Sequence, residues 1–166
     1  MKILGIDPGY GRLGLAVIEK PNKGKEVVLY SSCMETFGKD SIYQRFKEIG
    51  LEIVKIIEEY KPDEVALETL FIEKNQKTGM RVAEVRGIII YEAVKRDIPV
   101  FEYSPLQIKS SITGDGTSDK TRMIKMIGLL VKLPKKIKLD DEYDAIAVAL
   151  THSACRRSLL SPTTNH

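Results

Sequence analysis

The chain has 166 residues, 43% of them hydrophobic, which is one domain's worth of sequence and enough for a single core. Its net charge is only +3, yet residues 71 to 140 carry 14 basic against 8 acidic side chains where residues 1 to 70 carry 10 against 12, a balance compatible with a phosphate-binding face in the second half and equally with an ordinary lysine-rich surface. No apolar run reaches membrane-spanning length and no signal-peptide pattern opens the chain; two cysteines (Cys33, Cys155) and two histidines (His152, His166) argue against a disulfide framework or a histidine-built zinc site and fit a reducing cytoplasm.

The apolar run Ile3 to Ile6 predicts a buried strand that delivers Asp7 to its own C-terminal edge, where Pro8 and Gly9 turn the chain. A carboxylate there is partly desolvated and calls for a cation or several donors, unless Asp7 simply caps the turn through its own backbone. Gly9, Gly11 and Gly14 spell G-x-G-x-x-G, but a dinucleotide site needs a helix to start within the glycines. Leu13 to Ile18 follows at once and reads as a second strand. Glu26 to Met34, beyond the turn Pro21 to Gly24, reads as a third, which makes an antiparallel meander.

A helix opens on the capping-box pair Ser41 and Gln44, carries Ile42, Phe46, Ile49, Ile53, Ile56 and Tyr60 at steps of three and four, and stops at Pro62. Glu64 to Glu68 is a short fourth strand that also ends on an acid. A second helix is expected over about Thr78 to Arg96, with Val82, Val85, Ile89 and Ala93 on one face. Its small residues Gly79, Ala83 and Gly87 allow close approach of another helix, within the chain or across a dimer seam. Pro99 to Tyr103 predicts a fifth strand. The capping box Ser104 and Gln107, with Pro105, opens a short helix through Lys109. Thr113 to Gly116 is a turn, after which Thr117 or Ser118 caps a helix to about Lys132. Pro134 to Lys138 is a basic linker, and the last helix runs from Asp140 to about Arg157. A single domain over 1–157 and a frayed tail over 158–166 are expected.

Asp141 and Asp144 are three apart, so both carboxylates project from one face of the last helix's first turn. Charge complementarity with the helix dipole is one reason for acids there. The residues just after, Ala145 to Leu150, are apolar all round, so the acidic end is carried onto the core. If the first and fourth strands are neighbours, Asp7, Glu68, Asp141 and Asp144 converge, and such a cluster needs cations between its members. Oxygen-only ligation suits Mg²⁺ or Mn²⁺, and two such ions about 4 Å apart form a clamp for in-line attack on a phosphodiester.

Six stretches in order, GIDPG, ALETLFIEKN, VRG at 85 to 87, FEYSPLQIK, TGDGTSDK and DEYDAIAVALTH, resemble the RuvC family of bacterial Holliday junction resolvases over essentially the whole length. The resemblance implies an α/β ribonuclease H-like fold: a mixed five-stranded sheet, three-strand antiparallel meander plus parallel strands, flanked by helices. It also implies a homodimeric, magnesium-dependent endonuclease that cuts four-way DNA junctions with paired symmetric nicks in recombination and repair. Asp7, Glu68, Asp141 and Asp144 match the family's metal-binding catalytic quartet, two Mg²⁺ per site with Mn²⁺ as substitute. Lys109 and Lys120 match basic positions around the active site. Phe71 and Lys74 match DNA-contacting positions, Phe71 against unstacked bases, although packing in the core is the other use of such a phenylalanine. A branch-migration motor is implied as partner. The family often has Thr and an aromatic flanking Gly14, where this chain has Leu13 and Leu15.

Three other readings compete: a nuclease of the same fold acting on RNA or other branched DNA, an ATP-binding fold of the actin and sugar-kinase type, and a junction-binding module without catalysis. The second needs far more than 166 residues. The third gains nothing from a negative cluster facing phosphate.

Overall fold

The computed structural model describes residues 1–35, 41–70, 76–133, 137 and 139–160, the side chains of 76, 77 and 157–160 excepted. Strands β1 (Lys2–Asp7), β2 (Arg12–Glu19) and β3 (Glu26–Glu35) form the antiparallel meander. Helix α1 (Ile42–Tyr60) leads to β4 (Glu64–Glu68), which lies parallel beside β1; α2 (Gln76–Val94) leads to β5 (Val100–Tyr103), parallel beside β4. Helices α3 (Pro105–Thr113), α4 (Lys120–Leu130) and α5 (Asp140–Leu160) complete the chain. The sheet has one strand more than the five expected: β6 (Val131–Lys132) pairs in parallel with β3, giving the order β5-β4-β1-β2-β3-β6. Two residues are too few to show a period of two in sequence.

Alternation along the strands divides the core. Leu4, Ile6, Leu13, Leu15 and Val17 face α1 and α2, where Ile49, Ile53, Val85 and Ile89 meet them. Ile3, Ala16, Ile18, Val28 and Ala66 face α3, α4 and α5. Helix α5 is buried all round from Ala145 to Ser153, and two glycines let it lie directly on the sheet. A Cβ on Gly5 would stand 2.3 Å from the Ala145 carbonyl oxygen, and one on Gly14 would stand 2.2 Å from that of Asp141. Gly9 to Gly14 therefore serves a tight turn and a helix seat, and β2 begins at Arg12 with no helix among the glycines.

Several ends differ from expectation. Ser41 accepts from the Gln44 amide, but the Gln44 side chain donates to Glu48 instead of closing a reciprocal box; at α3 both halves of the Ser104–Gln107 box are present. α3 runs four residues past Lys109, because Ile108 and Ile112 bury one above the other, and Gly114 at φ 76° ends it. Neither Thr117 nor Ser118 caps α4. Asp115 holds the Thr117 amide and hydroxyl, Ser118 pairs with Thr113, and Asp119 accepts from the Arg122 amide at 2.8 Å. α5 continues to Leu160, into the expected tail. On α2, Gly79 is buried whereas Ala83 and Gly87, further along the same row, are exposed.

Candidate active site

The register of β1 with β4 pairs Gly5 with Ala66 and Ile6 with Leu67, so the next residues, Asp7 and Glu68, end neighbouring strands on the α5 side of the sheet. The first turns of α5, seated on Gly14, bring Asp144 to the same place. Asp7, Glu68 and Asp144 line one cleft of about 290 Å³ with Lys109, Pro105, Ile108 and Met123. Lys120 stands over it from α4 and donates to Asp144 at 2.8 Å, with Asp140 at 3.6 Å. Asp141, largely buried, has Arg12 at 3.8 Å, and Arg12 also reaches Glu35 at 3.3 Å. The Cys33 thiol, opposite Gly14 on β3, stands beside Asp141; burial, then that carboxylate, pushes it up to about 11. Phe71 and Lys74 lie outside the described residues.

Electrostatically the cleft is short of positive charge. Burial first, then the charges of Glu68 and Asp144, push Asp7 up to about 8, and the protonated Asp7 hydrogen-bonds to Glu68. Burial also raises Glu68, against the hydrogen bond from Asp7 and the cations Lys109 and Arg86. Burial raises Asp144 too, offset by Lys120. Among the described residues no trio of metal-ligating side chains is already closed around one point. The donor set still fits a divalent cation: every candidate is a carboxylate oxygen, and one proton shared by two buried carboxylates occupies a position that a cation satisfies better. Asp144, the third of these carboxylates, is engaged by Lys120.

Two features escape a reading of the sequence. Arg86 on α2, its side chain only 13% exposed, donates to the backbone carbonyl of Glu68 and to the Glu102 carboxylate, tying α2 to the ends of β4 and β5. The VRG stretch marked the residue without indicating its partners. Glu142, between the two aspartates, turns away from the cleft and accepts from Ser31 at 2.6 Å. At the foot of α5, buried His152 lies between the Tyr103 hydroxyl (2.7 Å) and Glu64, which Arg156 also grips. A histidine so engaged is a core residue.

A mixed sheet that ends neighbouring strands on carboxylates beneath an acid-tipped helix is the arrangement of a ribonuclease H-like nuclease. Its relatives narrow the class. The chain belongs to the crossover junction endodeoxyribonuclease RuvC family, whose model matches residues 3–152. A crossover junction endodeoxyribonuclease RuvC of Thermosipho melanesiensis is 44% identical over 150 residues, covering 90% of this chain and 94% of that one. Thermus thermophilus RuvC superposes with a TM-score of 0.87 at 28% identity, and the same protein in complex with a Holliday junction substrate with 0.89 at 26%; each match covers 95% of this chain and 96% of the other. Among the described residues no helix is long and apolar enough to cross a membrane.

Proposed function

We propose that this chain is a structure-selective endonuclease that resolves Holliday junctions by paired, symmetric nicks at the branch point. The observation that carries the reading is the convergence of Asp7 and Glu68, at adjacent strand ends, with Asp144 in one cleft, in a chain of this family. Asp7, Glu68, Asp141 and Asp144 are the ligand set, Asp141 and Asp144 turning from Arg12 and Lys120 to join it. Bound Mg²⁺, two ions with Mn²⁺ as substitute, supplies activation of water and stabilisation of the leaving oxygen. Lys109 inside the cleft and Lys120 at its rim meet phosphate oxygens, and Lys120 is freed for this as Asp144 takes up its ligand role. Phe71 and Lys74 contact bases and backbone near the branch.

The active unit is a homodimer, since two strands must be cut. The outward Ala83 and Gly87, with exposed Met80, Tyr91 and Leu51 beside an apolar groove between α1 and α2, support that assembly. A branch-migration motor is the expected partner, and Cys33 and Cys155, in no disulfide among the described residues, suit a cytoplasmic enzyme.

The test is cleavage of an end-labelled synthetic four-way junction beside linear duplexes of the same arms, with and without Mg²⁺. Wild type makes metal-dependent symmetric nicks yielding 5′-phosphates near the branch. Asp7→Asn keeps junction binding but loses at least about 10³-fold in cutting. Equal cutting of duplex and junction discards the substrate assignment, and equal loss of binding and cutting discards the division of roles.

A further inference from the structure

Arg45 lies in α1 with 8% of its surface exposed. Its guanidinium carbon stands 5.0 Å from the centre of the Tyr10 ring, and its Nε is sealed from solvent with no acceptor among the described residues. Among the described residues no carboxylate pairs with it. An aromatic face answers part of such a charge but offers no lone pair to an N–H. A buried cation without a counter-ion is unfavourable until an anion is brought to it.

The place is informative. Tyr10 follows Asp7 by three residues in the turn from β1 to β2, so it stands within about 10 Å of the acid pair along the chain. With Thr78, Met80 and Arg81 it lines a second cleft. Arg81 pairs with Glu84 at 2.9 Å and shares the rim of this cleft with Tyr10. An aromatic face with a cation behind it and a second cation at its rim is what a nucleotide with its phosphate requires.

We propose that Tyr10 and Arg45 form a nucleotide subsite beside the metal cleft: Tyr10 stacks on a base unpaired at the branch point, and the charge of Arg45, which no carboxylate answers among the described residues, draws the adjoining phosphate together with Arg81. The subsite rests on the junction-cutting reading and deepens it. It fixes the strand on the β1–β2 side of the scissile phosphate, with the Lys109 and Lys120 side opposite.

The test uses full-length protein carrying Asp7→Asn, with Mg²⁺, titrated into fluorescent four-way junctions by anisotropy at several salt concentrations. A parallel series carries 2-aminopurine at single positions around the branch. Adding Tyr10→Ala weakens binding about five- to a hundredfold and abolishes the fluorescence change at one or two positions, whereas Tyr10→Phe keeps both. Arg45→Met lowers the slope of log affinity against log salt by about one. Where Arg45→Met fails to fold by circular dichroism, the two Tyr10 variants decide. Binding by Tyr10→Ala within about twofold of its parent, with 2-aminopurine signals unchanged, overturns the subsite alone. A parent that does not prefer junction over duplex overturns the junction reading and the subsite with it.

Discussion

Asp7 holds its proton because it is buried and, after that, because the charges of Glu68, Asp144 and Asp141 oppose its own, and this makes its titration a property of the folded chain. An ordinary aspartate releases its proton near 3.8, whereas Asp7 does so at about 8. Between those values the folded chain keeps a proton that the unfolded chain has lost, so metal-free stability falls as pH rises through the window. His152 works the other way: burial lowers its affinity for a proton, so its contribution to stability is lost as pH falls below its ordinary 6.5. Comparing wild type with Asp7→Asn isolates the first effect. In EDTA, the wild-type melting temperature should fall more steeply between about pH 5 and about pH 8, by roughly 5 °C relative to the variant. Coincident curves would remove the shared proton from the account. Metal binding should release that proton, so affinity for Mg²⁺ should rise up to about tenfold per pH unit below about 8, as isothermal titration in two buffers would show.

At the scale of the element, placement of the acids depends on what Gly5 and Gly14 lack. Gly5→Ala would drive a methyl into the Ala145 carbonyl and to 2.7 Å from the Ala149 Cβ, so backbone must move. Destabilisation of at least about 1–3 kcal/mol is expected by chemical denaturation, with weaker Mg²⁺ binding because α5 carries two of the acids. A control on α2, Gly87→Ala, has nothing within 4 Å of its new methyl and should stabilise the subunit by up to about 1 kcal/mol. These elements differ in how far the sequence disclosed them. β1, β2 and β4 are legible because alternation and flanking breakers act locally, and Asp7 stood out as a charge at the end of an apolar strand. The last helix was legible from alanine content and its acid start, since a helix buried all round has no polar stripe to reveal its orientation. The adjacency of β1 and β4 is a crossover property that no local pattern carries. Arg86 was unreadable for a related reason: it holds a backbone carbonyl 18 residues away, and any residue type has a carbonyl.

For the whole molecule, charge and assembly set the expected behaviour. If several lysines and arginines neutralise phosphates on the cleft side, junction affinity should fall by about 10³-fold or more between about 50 and about 200 mM salt, and a flat response in anisotropy titrations would contradict this. If α2 forms the seam, Gly87→Arg should sediment as a monomer at micromolar concentration, while Gly87→Ala raises the dimer dissociation constant despite the sturdier subunit. A subunit that is monomeric as wild type would leave the paired nicks without a structural source.

The burial of α5 on every side has one more consequence. From Ala145 to Ser153 every residue of this helix is buried, and its foot is fastened by His152 to Tyr103 and Glu64. Deuterium should therefore enter that stretch only when the entire domain opens, at the slowest rate in the molecule. Asp141 and Asp144, the two proposed ligands on α5, thus head the least negotiable part of the architecture. Drift at the surface can retune which DNA is gripped, but the geometry of hydrolysis is inherited with the core.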